Sequence, residues 1–212
     1  MKPIIENGDK GAPVLVLAHG AGAGMDSDFM NQAAEGLADN GIYVVRFEFS
    51  YMQIQRETGK RRPPDRQSKL LEHFAETIDE LGLDNPVIGG KSMGGRMATL
   101  LAAQRPFAGV VVLGYPFHAI GKPEKVRTDH FDRLKAHVLI CQGERDSMGS
   151  YEEVQQYRVP ETVGIEWLTD GDHDLKPRKS SGHSHQAHLT TVIEKVSQFI
   201  HEVTAEKACS TV

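Results

Sequence analysis

The sequence has few cysteines, little net charge and no long hydrophobic run. Two of its 212 residues are cysteines, Cys141 and Cys209, and this number excludes a framework of disulfides. Lysine and arginine number 24 against 29 acidic residues, a net charge of −5. The chain therefore lacks the basic excess that binding to nucleic acid uses, and we expect no nucleic-acid partner.

The hydrophobic runs have the length of strands. The richest, at residues 14–18 and 110–113, are far shorter than the roughly 20 residues of a membrane span. Residues 1–8 lack the apolar segment of a signal peptide. We therefore expect no membrane partner and a cytoplasmic location, and no pattern in the sequence specifies an oligomer.

The length and composition predict one globular domain over residues 1–212. A chain of this length buries roughly 70% of the surface that it exposes when unfolded, so it needs neither disulfides nor a structural metal. Strand-sized apolar runs alternate with segments of helical spacing, which is typical of an α/β domain with a mostly parallel sheet and helices on both faces. The predicted strands are residues 42–49, 86–90, 109–114, 138–141 and 165–168, in addition to 14–18.

Helical periodicity occupies four of the intervening segments. It predicts a helix that ends at Asn40-Gly41, one that ends at Gly82, one over residues 93–104 and one over 186–203. Three longer segments, 51–66, 117–133 and 170–185, break the rhythm and are expected as loops. The first is polar and basic, with five cations: Arg56, Lys60, Arg61, Arg62 and Arg66. Such a cluster either steers an acidic substrate toward the site or pins the loop through surface ion pairs.

Residues 90–94 read Gly-Lys-Ser-Met-Gly and lie where a predicted strand meets a predicted helix. In this setting a G-x-S-x-G sequence holds the serine on a sharp, strained turn with its hydroxyl exposed. The helix that follows points free N–H groups at the position where an oxyanion would develop. Ser92 is the candidate nucleophile, and the N–H of Met93 is the first candidate oxyanion donor.

A serine nucleophile needs a histidine base and an acid that orients it. Asp146 and His173 each follow the end of a later predicted strand, and the carboxyl ends of parallel strands meet at one edge of a sheet. Glu144, Asp172 and Asp174 are alternative acids. The glycine-rich segment 19–24 follows the strand 14–18, and Ala21 there is the candidate for the second oxyanion donor.

These segments resemble the α/β-hydrolase superfamily. The resemblance is carried by His19-Gly20, by residues 90–95, by Gly143 with Asp146, and by Gly171-Asp172-His173. Residues 49–52 and 59–66 look closest to the small dienelactone-hydrolase-like group that includes the testis-expressed and NSL-complex-subunit hydrolase-like proteins. The resemblance implies Ser92, Asp146 and His173 as catalytic residues. The chain lacks a long insertion before the strand that precedes the acid, so we expect no large lid. This sequence differs from the dienelactone hydrolases proper in its nucleophile, which is Ser92 here and a cysteine in those enzymes.

Other side chains are candidates for substrate contact. Arg62 belongs to the basic segment, and His19 and Tyr51 are two further candidates. His118 follows the strand 109–114, where it is either a pocket residue or a structural histidine with its hydrogen bonds satisfied. His183, His185 and His188 resemble metal ligands in composition, but no cysteine or carboxylate completes a site. We expect no metal and no cofactor.

The sequence thus predicts a serine hydrolase that cleaves a small ester, thioester or related acyl substrate. The alternative is an interaction module of the same fold with little or no catalytic activity, because a fold by itself does not determine a function.

Overall fold

The computed structural model describes the backbone of residues 3–210 and the side chains of residues 3–205. The side chain of Cys209 lies outside this range. The described strands are β1 (Ile4–Asn7), β2 (Val14–Ala18), β3 (Tyr43–Phe47), β4 (Val87–Lys91), β5 (Gly109–Leu113), β6 (Val138–Gly143) and β7 (Val163–Leu168). The helices are α1 (Asp28–Asp39), α2 (Ser50–Thr58), α3 (Gln67–Leu81), α4 (Met93–Ala102), α5 (Tyr151–Val154) and α6 (His185–Ser210).

In the described part of the chain, these strands form a seven-stranded sheet in the order β1-β3-β2-β4-β5-β6-β7. β1 is antiparallel to β3, and every other pair is parallel. The predicted α/β class, with a mostly parallel sheet, is therefore confirmed. Because β2, β4, β5, β6 and β7 run in the same direction, the loops that follow them meet at one edge of the sheet.

Helices cover both faces of the sheet, as predicted. On one face, α2, α3 and α4 bury aromatic and aliphatic side chains against the strands, among them Tyr51, Phe74 and Met97. On the other face, α1 and α6 pack together over the sheet through side chains such as Leu37 and Val196. A parallel sheet needs cover on both faces because its central strands are apolar on both sides.

Two elements differ from the predictions. β1 was not predicted, because its four residues contain only two apolar side chains and its position depends on pairing with β3, some forty residues away. The predicted loop over residues 51–66 is wrong in its first half, where α2 forms. Tyr51 and Met52 are buried beneath this helix, and this tertiary contact offsets the weak helical signal of its polar sequence.

Candidate active site

Ser92 lies on the sharp turn between β4 and α4. Its backbone has φ 52° and ψ −113°, a left-handed conformation that is strained for a residue with a side chain. The flanking glycines allow the turn to close. A Cβ on Gly90 would lie 2.5 Å from the carbonyl carbon of Gly94, and a Cβ on Gly94 would lie 2.5 Å from the carbonyl oxygen of His19.

A chain of two hydrogen bonds connects Ser92 to a buried carboxylate. Ser92 Oγ lies 2.7 Å from His173 Nε2, and His173 Nδ1 lies 2.7 Å from Asp146 Oδ2. Asp146 is completely buried, whereas about a quarter of the His173 side chain is exposed. The structure thus brings together three residues of which the first and the last are 81 positions apart in the chain.

Asp146 is the acid that contacts the ring of His173. Its Oδ1 accepts a hydrogen bond from the backbone N–H of Met148 at 2.8 Å, and its Oδ2 accepts one from Gln142 Nε2 at 2.8 Å. The alternative acids are engaged elsewhere: Glu144 and Asp172 accept backbone N–H groups. Asp174, the third alternative, pairs with a lysine ammonium.

Polar contacts hold the loop that carries His173. Asp170 accepts hydrogen bonds from the backbone N–H and the guanidinium of Arg178 and pairs with Arg145 at 2.8 Å. These bonds to Arg178 lower the pKa of Asp170 to about 2. The Asp170 carboxylate therefore stays charged at neutral pH and closes the loop over residues 170–178.

His19 and Tyr51 fix the orientation of the segment that follows β2. His19 is buried; its Nδ1 lies 2.6 Å from the carbonyl oxygen of Gly20, and its Nε2 accepts the N–H of Phe49. Burial lowers the pKa of His19, consistent with a neutral ring. The hydroxyl of Tyr51 also donates toward the carbonyl oxygens of Gly20 and Ala21, at 3.3 and 3.1 Å.

These contacts determine where the N–H of Ala21 points. The carbonyl of Gly20 and the N–H of Ala21 belong to one trans peptide and point in opposite directions. Because the carbonyl faces the buried rings of His19 and Tyr51, the N–H faces the other way. Ala21 lines the cavity in front of Ser92, and the first N–H groups of α4, starting at Met93, have no acceptor within the helix.

The cavity in front of Ser92 has a volume of about 410 Å³. This volume lies in the lower part of the range for sites that bind small molecules. Its walls are the segment 20–23, the start of α1 and the histidine loop, with apolar contributions from Phe29, Met30 and Met148.

The family model for the α/β-hydrolase domain matches residues 11–201. The chain belongs to the α/β-hydrolase family. This match covers the whole arrangement described above, from β2 to α6, and confirms the resemblance at the level of the superfamily. The narrower likeness to the testis-expressed and NSL-complex-subunit proteins stays a prediction.

Solved structures of other α/β hydrolases share this fold at low sequence identity. Est1E from Butyrivibrio proteoclasticus, with ferulic acid bound, has a TM-score of 0.69 and 17% identity, covering 96% of this chain and 95% of that one. Dienelactone hydrolase from Anabaena variabilis has a TM-score of 0.68 and 18% identity, with coverage of 94% and 91%. XC6422 from Xanthomonas campestris, described as a serine hydrolase without a lid, has a TM-score of 0.64 and 17% identity, with coverage of 94% and 88%.

This α/β hydrolase likewise has no large lid within residues 3–210. Between β5 and β6 the chain forms only a short 3₁₀ helix, Phe131–Arg133, and a second one, Lys179–Ser181, precedes α6. None of the described helices combines the length and apolarity needed to cross a membrane. Among the described side chains, His, Cys, Asp and Glu form no group of three that could hold a metal ion.

The predicted substrate contacts divide into two sets. Arg62 lines a second cavity that adjoins the first. His19, Tyr51 and His118 are buried and do not line the cavity in front of Ser92. The first two instead hold the segment 19–21, whereas Nδ1 of His118 lies 2.9 Å from the carbonyl oxygen of Ala119.

Sequence reasoning missed two residues beside the site. Gln142 is fully buried in β6; besides its bond to Asp146, it accepts the N–H of Tyr115 at 2.7 Å and donates to the carbonyl of Gly149 at 3.1 Å. Lys91, the residue before Ser92, is also buried. The available signal was a polar residue in an otherwise apolar strand, which occurs at both positions.

Proposed function

We propose that the protein is a serine hydrolase that cleaves a small ester, thioester or related acyl substrate. The observation that carries the proposal is the pair of 2.7 Å contacts from Ser92 through His173 to Asp146. The order of these residues in the chain, serine, aspartate and then histidine, is the order found in α/β hydrolases. The neighbouring structures named above share the fold and support hydrolytic chemistry in general.

In the proposed mechanism, His173 Nε2 accepts the proton of Ser92 as Oγ attacks the carbonyl carbon of the substrate. Asp146 accepts the N–H of His173 Nδ1, which fixes the tautomer of the ring and stabilises its cation. The tetrahedral intermediate then collapses, and His173 gives the proton to the leaving alcohol or thiol. Water, activated by the same histidine, hydrolyses the acyl group on Ser92 and releases the acid.

The N–H groups of Met93 and Ala21 are proposed to stabilise the oxyanion of the intermediate. The orientation of the Gly20–Ala21 peptide supports this role, as does the free first turn of α4. Each such donor contributes roughly 3 kcal/mol to the stabilisation of the transition state. The 410 Å³ cavity and the absence of a large lid among the described residues favour small acyl groups over long lipid chains.

A fluorophosphonate probe tests the proposal, because it modifies only a serine that is activated in this way. We expect one adduct, located on Ser92 by peptide mass, and its loss in Ser92→Ala and His173→Ala. Ser68→Ala, which removes an exposed serine of α3, is the matched control and should label as the unaltered protein does. Absence of labelling in the folded protein, together with a stoichiometric protein partner in a pulldown, would favour the interaction module instead.

A further inference from the structure

A second cavity adjoins the cavity in front of Ser92 at the segment that carries Ala21. It has a volume of about 790 Å³ and shares Ala21 and Gly22 with the cavity in front of Ser92. Its remaining walls come from the end of α2 and the extended segment after it, including Arg61 and Arg62. The space next to the cavity in front of Ser92, beyond Ala21 and Gly22, is therefore lined by two arginines.

The charge of this second cavity is of one sign. Its lining contains both arginines and no acidic residue. Within the described side chains, neither guanidinium has an ion pair or hydrogen-bond partner, and the nearby carboxylate of Asp65 is paired with Lys69. Arg56, from the same basic segment, differs because it binds Glu48 and Asp26 and is therefore satisfied within the protein.

The backbone that carries the two arginines is held in place. Gly59 ends α2 in a left-handed conformation with φ 67°, and the N–H of Arg62 donates to Gln55 Oε1 at 2.9 Å. Pro63 and Pro64 follow directly, and their rings restrict the backbone. This arrangement lowers the conformational entropy that the segment would lose when a ligand binds.

We propose that the second cavity binds an oxyanion of the substrate, a carboxylate or a phosphate group, while the scissile acyl bond lies at Ser92. Arginine binds both groups through paired, charge-assisted hydrogen bonds. The substrate class is then a small ester or thioester with an anionic group at a distance from the bond that is cleaved. This inference rests on the proposed hydrolase function, and the hydrolysis itself is unchanged: water adds, and an acid and an alcohol or thiol leave.

Matched series of aryl esters test the inference. One series ends in a methyl group, a second in a carboxylate and a third in a phosphonate, over a range of chain lengths. We expect kcat/KM to favour an anionic ester over its neutral partner by at least tenfold at the length that reaches the second cavity. A preference for carboxylate or for phosphonate identifies which of the two oxyanions the site takes, and either preference supports the inference.

The double variant Arg61→Gln/Arg62→Gln should lower the ratio of anionic to neutral kcat/KM by at least tenfold. Lys60→Gln/Arg66→Gln removes the same charge from side chains that do not line the cavity and should leave the ratio within about threefold. An equal loss in both double variants, or no anionic preference at any length, would overturn the inference. If neutral esters are not cleaved and Ser92 is not labelled, the hydrolase proposal itself fails, so the two failures are distinguishable.

A separate observation concerns Lys91, directly before Ser92. About a tenth of its side chain is exposed. Its ammonium donates to the carbonyl oxygen of His173 at 2.7 Å and lies 3.1 Å from Asp174 Oδ1, with the ring of Phe29 at 5.6 Å. The last residue of β4 therefore contacts the backbone of the candidate base.

We infer that Lys91 is a positioning residue that holds the His173 loop at its distance from Ser92. A buried ammonium is retained only when it is paired and hydrogen-bonded, because its desolvation is costly. Here both partners of the ammonium belong to the histidine loop, so the position of that loop depends on β4. This inference also rests on the hydrolase proposal.

Lys91→Met removes the ammonium and keeps a flexible apolar side chain. We expect kcat on a neutral aryl ester to fall at least tenfold with KM changed less than threefold, because the loss affects the base and not the binding of substrate. Lys176→Met, an exposed lysine of the same loop, is the control and should change neither constant. A raised KM with unchanged kcat would show that Lys91 contacts the substrate instead. Unchanged kcat and KM would show that Lys91 does not hold the His173 loop. Either result overturns the inference.

Discussion

The turn that carries Ser92 and the loop that carries His173 are held in position by different physical means. The turn is closed by steric contact, because a Cβ on Gly90 or on Gly94 would clash with neighbouring backbone atoms at 2.5 Å. The loop is closed by polar contacts, with Asp170 bound to Arg178 and Arg145 and with its backbone bound to Lys91.

This difference predicts different sensitivities. Steric closure is short-range and independent of salt, and a single methyl group disrupts it. Polar closure is spread over several bonds, each of modest net value, and those that are exposed weaken as salt screens them. Substitutions in the turn should therefore cause the largest losses, and substitutions in the loop smaller and salt-dependent ones.

Gly94→Ala tests the turn, and we expect the largest effect there. The added Cβ would lie 2.5 Å from the carbonyl oxygen of His19, so either α4 or the segment after β2 must move. A displacement of about 1 Å at a reacting group reduces the rate by on the order of a hundredfold. We expect at least that loss in the rate of fluorophosphonate labelling. Gly11→Ala, where a Cβ meets nothing within 4 Å, is the control; equal rates in the two variants would contradict steric closure.

Gln142→Leu tests the polar support of Asp146. It removes the 2.8 Å bond to Asp146 and leaves the N–H of Tyr115 without its acceptor inside the protein. An unsatisfied buried group costs about 1–3 kcal/mol, so both the free energy of unfolding and kcat/KM should fall, the latter about tenfold. Denaturant titration and ester kinetics measure the two effects. Gln156→Leu, at an exposed glutamine, should change neither, and wild-type kinetics in Gln142→Leu would exclude the support.

Asp170→Asn tests the loop itself. The carboxylate pairs with Arg145 and Arg178, whose side chains are 35% and 63% exposed. Ion pairs exposed to this degree contribute only modestly to stability. We expect the labelling rate to fall less than tenfold and to lose part of its dependence on salt. Asp132→Asn, which breaks an exposed pair with Arg158, is the control. A loss as large as that of Gly94→Ala would show that the loop is not closed by several independent bonds.

Acidification should first affect the packing of His130 against α4, and only at lower pH the ion pairs of the loop that carries His173. His130 bonds Thr99 in α4, and burial, followed by the charges of Arg96 and Arg133, lowers the pKa of His130 to about 4. Between about pH 6.5, the pKa of an unfolded histidine, and about pH 4 the unfolded chain binds more protons than the folded protein does. Stability therefore falls as the pH is lowered through this window, by up to about 1.4 kcal/mol per pH unit for one proton. The carboxylate of Asp170, with its pKa of about 2, keeps its charge throughout this window. Its contribution to stability is lost only as the pH falls from about 4 toward 2.

Denaturant titrations between pH 7 and 4.5 measure this slope. His130→Asn should make the slope shallower, while His19, whose pKa burial also lowers, contributes equally to both proteins. A slope that is unchanged in the variant would show that His130 does not carry the proton uptake.

Local patterns predicted the parts of the site that depend on neighbours in the chain. The Gly-Lys-Ser-Met-Gly sequence predicted the strand-to-helix turn at Ser92, because the strained backbone of Ser92 and the close approach of Gly90 to Gly94 lie within five residues. The order of strand ends predicted that Asp146 and His173 would come together. Helix α2 and strand β1 were missed, because the burial of Tyr51 and the pairing of Ile4 with Phe47 depend on residues distant in sequence.

The roles of individual polar side chains were decided by tertiary contacts. The basic segment read as one cluster, yet Arg56 is bound to Glu48 and Asp26, whereas Arg61 and Arg62 face a cavity. The sequence suggested His19 and Tyr51 as substrate contacts, yet both hydrogen-bond to the carbonyl oxygen of Gly20, in the peptide that precedes Ala21. Periodicity and short motifs by themselves determined the class of fold and the candidate nucleophile, because these follow from local sterics and from the separation of apolar and polar residues. Only the folded chain decided which charges are paired and which remain free, because an ion pair depends on a distance in space that the spacing of residues does not determine.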